Sequence, residues 1–360
     1  MITKGINTVA LFSGGGGLDL GFAAAGYNIV FTSDIDPYSC KTLEINQGKR
    51  PFVTQHPVVV SDVATLNKLS IEKASGFKSE SVELMIGGPP CQAFSVFGKR
   101  KGLEDPRGNL VWEYARLINE TKPVAFLLEN VPGIKSIHGG ELFEHLLSVL
   151  TFDGEYKVTF HDYQMADYGI PQFRHRVFII GNRIGKDIPE MKQTHFIPES
   201  CKNGTKKYRT VAEVLSEMPE PEDNKVIPNH KGRKHSQRIV DRYTSLEYGE
   251  RDHRTRINKL NPQKPSFTII VGSDAGGGKG HIHPYTPREL TPRESARIQT
   301  FPDWWEFYGT GRHLIRQVGN AVPPLFAAQL AAHLAIHLFD KDYLSGYDKL
   351  VSALELNFLK

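Results

Sequence analysis

The stretch "GGPPCQAFS", residues 87–95, sets one cysteine behind two glycines and two prolines. Pro89 and Pro90 restrict the backbone and so fix where the Cys91 thiol points. Most buried cysteines are inert. Cys91, however, follows an apolar run instead of lying within it, at the kind of strand end where open α/β sheets place their chemistry. A thiolate there can act as a nucleophile. A second candidate is Glu129, which closes the apolar run "LLENV". A carboxyl among apolar neighbours holds its proton more tightly and can serve as an acid near neutral pH.

A third constellation lies in "ALFSGGGGLDLGFAAAG". A glycine-rich turn from strand to helix lets a ligand approach the backbone closely. The dinucleotide pattern needs glycines at i, i+2 and i+5, and here Asp19 and Leu20 occupy the last position. No Gly-Lys-Ser/Thr follows either, so the turn suits a nucleoside-type ligand rather than a pyrophosphate. Twenty residues beyond Gly14, "SDIDP" supplies Asp34 at the spacing of a ribose-binding acid. Ile35 can pack on an adenine face, and Asp62 in "VSD" can accept from an adenine amino group. Each acid alone reads equally well as a helix cap. Three successive strand ends with suitable groups carry more weight.

These groups need a scaffold. Six apolar runs lack period-2 alternation, as strands covered on both faces do. They are residues 7–13, 27–34, 57–62, 82–88, 124–131 and 176–182. Helical stretches such as "LDLGFAAAG" and "GNLVWEYARLINE" lie between them, which predicts an α/β fold with a doubly wound, mostly parallel, Rossmann-like sheet. If strands one, four and five are neighbours, the glycine turn, the thiol and the carboxyl share one crevice. Residues 1–182 form the expected catalytic and ligand-binding domain. Residues 183–285, polar and weakly periodic, read as a smaller irregular domain, and 286–360 as C-terminal helices whose last member returns to the first domain. "TPRESARIQTF" predicts a helix capped by Thr291, with Pro292 first and Glu294 completing a capping box. "LFAAQLAAHLAIHLF", 325–339, predicts an apolar one.

Composition narrows the class. The 360 residues are 39% hydrophobic and 23% charged, ordinary for a globular protein. Cys40, Cys91 and Cys201 are too few and too scattered for a disulfide framework or a metal knuckle. "HIH" at 281–283 lacks further clustered ligands, so no metal is expected. No apolar run of membrane-spanning length and no signal sequence are read, which predicts a cytoplasmic protein with no membrane partner. Net charge is +4, but residues 201–265 carry 15 Lys/Arg against 9 Asp/Glu, while the rest carries 29 against 31. Such a segment is either a solvated surface or one that faces a polyanion.

Six motifs occur in order: "FSGGGGLDLGF", "GGPPCQAFS", "ENV", "QFRHR" (172–176), "RESARIQTFPD" and "QVGNAVPP". Together they resemble the motif series of the DNA cytosine-5 methyltransferases, prokaryotic restriction–modification type, from about residue 9 to about 330. The resemblance implies methyl transfer from S-adenosylmethionine to carbon 5 of a cytosine flipped out of double-stranded DNA. By family position, Cys91 adds to carbon 6 and Glu129 attends ring nitrogen N3. Arg176 holds the exocyclic oxygen, while Arg174 supports the loop and Glu129. Cofactor contacts are implied at Phe12, Ser13, Gly14, Gly16, Gly17, Leu18, Asp34, Ile35, Asp62, Val63, Pro89, Asn320 and Val322. DNA contacts are implied at Gln92, Ser95, Lys99, Arg100, Lys101 and Gln172. The polar segment 183–285 becomes the part that reads DNA sequence. Ile35 departs from the pattern, since members often place a bulkier ring there. The absence of a large extension before residue 9 suits a stand-alone enzyme, expected as a monomer, that protects host DNA from a partner restriction endonuclease. A transfer-RNA methyltransferase, a catalytically dead binding protein and a nicotinamide-dependent oxidoreductase are the competing readings.

Overall fold

The computed structural model describes residues 5–90, 110–202, 205–221, 226–270 and 280–359. The six apolar runs all form strands: β1 (Asn7–Leu11), β2 (Asn28–Asp34), β3 (Val58–Val60), β4 (Leu84–Gly87), β5 (Ala125–Asn130) and β7 (His175–Asn182). β6 (Lys157–Gln164) is an additional strand. The sheet order is β3-β2-β1-β4-β5-β7-β6. The first five strands are mutually parallel, and β7 runs antiparallel to both β5 and β6. Strands one, four and five are therefore neighbours, as the shared crevice requires.

Alternate residues of the central strands feed two cores. Ala10, Leu84, Ile86, Ala125 and Leu127 pack on one face. Val9, Leu11, Met85, Phe126 and Leu128 pack on the other. Covering both faces explains why these strands read as unbroken apolar runs. The helices are α1 (Gly17–Ala24), α2 (Pro37–Asn46), α3 (Lys68–Ser75), α4 (Leu110–Thr121), α5 (Glu141–Leu150), α6 (Val211–Leu215), α7 (Gln237–Thr244), α8 (Pro292–Ile298), α9 (Gly311–Asn320), α10 (Pro324–Phe339) and α11 (Tyr347–Ala353). α8 begins with the expected capping box. Thr291 Oγ1 accepts from the Glu294 amide at 3.1 Å, and Glu294 Oε2 accepts from the Thr291 amide at 2.7 Å.

α10 lies against α1, and glycine is needed at the crossing. A Cβ on Gly21 would stand 2.5 Å from the Pro324 carbonyl and collide with Ala327. The sequence expectation that no run is long and apolar enough to span a membrane needs correction. Gly311–Phe339 passes that test by length and composition, but 72% of its apolar window is buried inside the protein. It comprises α9 and α10, which meet at Ala321-Val322-Pro323.

Residues 183–285 carry two short paired strands, β8 (His195–Phe196) and β9 (Lys206–Lys207), besides α6 and α7. Val211, Val214 and Leu215 of α6 join the core that also contains α1 and α10. Tyr243, Ile257 and Ile282 form a separate small cluster.

Candidate active site and cofactor crevice

Strand register sets the site. Leu11 pairs with Ser33 on one side and Gly87 on the other, and Gly87 pairs with Leu128. The next residue of each strand, Phe12, Asp34, Gly88 and Glu129, therefore falls on one row at the C-terminal edge of the sheet. Adjacent members of such a row lie about 5 Å apart.

The glycine turn is built at Phe12 (φ 56°), Gly14 (φ 52°) and Gly16 (φ 80°). The Gly14 amide donates to Asp34 Oδ2 at 2.8 Å, and the Asp36 amide donates to Oδ1 at 2.9 Å. Burial raises the pKa of Asp34, and these two amides oppose the rise. Each carboxylate oxygen retains a lone pair for a hydroxyl. Ile35, beside it, is 64% exposed. A Cβ at Gly14 would meet nothing within 4 Å, so the turn opens onto free space. Behind it the backbone is tight: a Cβ on Gly17 would run into the Val322 carbonyl, which makes Val322 the support of the turn. Trp305 Nε1 also donates to the Gly15 carbonyl at 3.1 Å.

The remaining expected cofactor residues divide. Ser13 and Leu18 are buried in or beneath the turn, and Val63 packs into a core. Asp62 is exposed, and its Oδ1 accepts from the Ala64 amide at 3.0 Å, so it caps the turn at 63–65. Pro89 is buried, and its carbonyl accepts from Asn130 Nδ2 at 3.0 Å. Asn320 is exposed at the end of α9.

On the other side of the row, Arg176 Nε lies 2.9 Å from Glu129 Oε1. Burial raises the pKa of Glu129, and the charges of Arg176 and Arg174 pull against that rise. A Cβ on Gly88 would stand 2.8 Å from Glu129 Oε2. Glycine thus lets the end of β4, three residues before Cys91, lie directly against the carboxyl. Cys91, Gln92, Ser95, Lys99, Arg100 and Lys101 fall outside the described residues.

One expectation gains detail and one changes. Arg174, expected to support the loop and Glu129, places its hydrogen bonds on other segments. It is 1% exposed and donates to the carbonyls of Gly319 at 3.0 Å and of Ile269 and Asn320 at 3.4 Å. Burial and Arg176 push its pKa down to about 9, and it reaches Glu129 by charge alone. Gln172, expected at the DNA, is fully buried. Its Nε2 donates to Gln299 Oε1 at 2.9 Å, its Oε1 accepts from the Ile269 amide at 2.8 Å, and Gln299 Nε2 donates on to the Val318 carbonyl at 2.7 Å. A buried amide with these partners positions chain segments and cannot touch a duplex. His281 and His283 are likewise buried structural residues, bonded to the Thr268 carbonyl and to Thr286. Among the described residues no group of three His, Cys, Asp or Glu could hold a metal.

Trp305, Gln299 and Asp19 support the crevice without having been singled out. Asp19 is the one with a sequence signal, an acid in the first helical turn after the glycines.

A doubly wound sheet with an antiparallel seventh strand, a glycine turn after β1 and an acid after β2 define the Rossmann-like methyltransferase fold. The model of the C-5 cytosine-specific DNA methylase family matches residues 6–335, and the chain belongs to that family. It is a DNA cytosine-5 methyltransferase. It is 32% identical over 366 residues to the type II methyltransferase M.NgoFVII of Neisseria gonorrhoeae, covering 97% of this chain and 92% of that one. Against M.BbvI of Brevibacillus brevis the identity is 33% over 345 residues, covering 87% and 86%. A solved structure described as a DNA modification methyltransferase encoded within an E. coli prophage superposes with a TM-score of 0.71 at 29% identity, over 93% of this chain and 99% of that one. Dnmt2 of S. pombe, 18% identical with a TM-score of 0.65, shares the fold.

Proposed function

We propose that this enzyme methylates carbon 5 of a cytosine turned out of double-stranded DNA within a specific short sequence, through a covalent bond to Cys91. The observation that carries the proposal is the Arg176–Glu129 pair against Gly88, three residues before Cys91. Carbon 5 of cytosine is a poor nucleophile. Addition of the Cys91 thiolate to carbon 6 moves electron density to carbon 5. Glu129, whose pKa burial raises against the pull of the two arginines, donates to ring nitrogen N3 and so withdraws charge as the thiolate adds. Arg176 keeps that carboxyl aimed and offers its remaining N–H groups to the exocyclic oxygen. Once carbon 5 carries the methyl group, loss of its proton to water, return of the N3 proton to Glu129 and departure of Cys91 as thiolate restore the ring. When bound, S-adenosylmethionine supplies the methyl group that carbon 5 takes up. Asp34 and Ile35 would hold its ribose and adenine, and the open turn at Gly14 would admit the rest.

The base lies inside the duplex stack, so it must be extruded at a cost of a few kcal/mol. Lys99, Arg100 and Lys101 are proposed to meet phosphates. Residues 183–285, with the basic excess, are proposed as the target-recognition domain. Residues 286–360 complete the catalytic domain, a division supported by the packing of α10 on α1. The relatives are named type II methyltransferases, which supports a role in protecting host DNA from a partner endonuclease.

The test is DNA with 5-fluorocytosine at the target. Fluorine cannot leave as a proton does, so active enzyme should form a complex that survives denaturant, and Cys91→Ala should form none while still binding S-adenosylhomocysteine. Equal trapping by both proteins would overturn the reading.

A further inference from the structure

Asp19 is 6% exposed and lies directly beneath the glycine turn. Its Oδ1 accepts from Ser13 Oγ at 2.9 Å and lies 3.3 Å from Thr32 Oγ1. Thr32 Oγ1 in turn lies 2.9 Å from His56 Nε2, and His56 Nδ1 lies 3.0 Å from the Thr54 carbonyl oxygen. A carbonyl only accepts, so Nδ1 carries a hydrogen. If His56 is neutral, Nε2 is then an acceptor and the single Thr32 hydrogen must point to it. Thr32 Oγ1 has no second hydrogen for Asp19, so Asp19 must carry a proton and donate it to Oγ1. If Asp19 is ionised instead, Thr32 donates to Asp19 and has to accept from Nε2, which makes His56 an imidazolium. Either arrangement satisfies every contact with one shared proton. With Asp19 ionised and His56 neutral, one contact of the chain has two acceptors facing each other.

We propose that Asp19, Thr32 and His56 form a one-proton relay whose occupancy positions Ser13 and, through it, the glycine turn. This rests on the reading of that turn as the cofactor site. The relay lies off the path of methyl transfer, and its members are positioning residues. Burial fits the scheme: it moves Asp19 up to about 6. Burial also lowers the pKa of His56. The charged neighbour of Asp19 is Asp34, whose negative charge favours keeping the proton. Asp34 is itself faced by Asp36, Arg316 and Cys40. When the pH rises and the proton leaves, the chain must break at one contact below Ser13.

The test follows the His56 ring by NMR across pH in the wild type, in Asp19→Asn and in Thr32→Val, both near-isosteric. The relay predicts that each variant lowers the His56 midpoint by about half a unit or more, since each cuts it off from the carboxylate. S-adenosylhomocysteine affinity, measured by calorimetry, should fall about tenfold in the wild type as pH rises through that midpoint. In Thr32→Val the pH dependence should flatten. An unchanged His56 midpoint in both variants would overturn the relay. A shifted midpoint with pH-independent affinity would overturn its positioning role. Failure of S-adenosylhomocysteine to bind at any pH would instead overturn the cofactor reading, and with it that role.

Discussion

Arg176 reaches across from β7 to Glu129 at the end of β5, Nε to Oε1, at 2.9 Å. The strands are antiparallel neighbours, so the guanidinium arrives from the opposite chain direction. The other oxygen is left against Gly88, beside the strand end that leads to Cys91.

Replacing that carboxyl isolates its role. Glu129→Gln should slow methyl transfer by about 10²–10⁴-fold, the usual worth of a positioned acid. S-adenosylhomocysteine affinity should stay within about twofold, because the residues proposed to hold the cofactor lie mostly on other strands. Single-turnover transfer of labelled methyl groups, with calorimetry beside it, measures both.

The pH profile should move in a defined direction when the guanidinium is removed. Arg176 opposes the burial that raises the Glu129 pKa. Without it the carboxyl keeps its proton to higher pH. A group that acts when protonated loses activity as pH rises through its pKa. Arg176→Ala should therefore be slower overall yet show its alkaline limb at higher pH than the wild type. A limb displaced to lower pH would contradict the assignment.

Two glycines of one turn should respond differently to alanine. At Gly14 a Cβ meets open space, so Gly14→Ala should lose only about 1 kcal/mol of stability, from its positive φ. Its Cβ would stand where a ligand enters, so S-adenosylhomocysteine should bind more weakly. At Gly17 a Cβ collides with the Val322 carbonyl, and Gly17→Ala should lose about 1–3 kcal/mol or more. Thermal melts separate the two before any binding measurement.

Gln172→Ala leaves the Ile269 amide and Gln299 Oε1 without their partner. Stability should drop by about 2–6 kcal/mol, from two buried groups at roughly 1–3 kcal/mol each. The folded fraction should bind DNA with unchanged affinity and salt dependence. A weaker DNA affinity at full stability would restore Gln172 to the DNA surface.

Glu294 predicts acid behaviour. Its carboxylate accepts from Arg288 Nη1 and Nη2, both at 2.8 Å, and these bonds with the Arg288 charge hold its pKa down against burial. A depressed carboxylate stabilises above its unfolded value, and the contribution is lost as pH falls through the folded one. Between pH 7 and about 3, Glu294→Gln should show a shallower decline in denaturant midpoint than the wild type, whose unfolded glutamates titrate near 4.3.

How much could be read in advance depended on burial. β1, β2, β4, β5 and β7 are covered on both faces and announce themselves as apolar runs. β6 does not, because it is an edge strand in which only Tyr163 is fully buried, and "KVTFHDYQ" mixes polar with apolar residues accordingly. Asp34 and Glu129 were legible because each ends such a run. The true partners of Arg174 and Gln172 were not, since motif spacing says nothing about which carbonyl 95 to 146 residues away will receive a hydrogen. Asp62 caps a turn through Oδ1, as acids at strand ends commonly do, and stays exposed.

The glycine contact between α1 and α10 has a bearing on how the enzyme is made. Translation delivers the glycine turn first and its covering helix some 300 residues later. Until Pro324–Phe339 clears the ribosome, the groove at Gly21 stays uncovered and Gly17 lacks the Val322 backbone behind it. A nascent chain thus holds this turn unsupported until α10 has been made, and fragments that stop short of Pro324 should bind S-adenosylhomocysteine weakly.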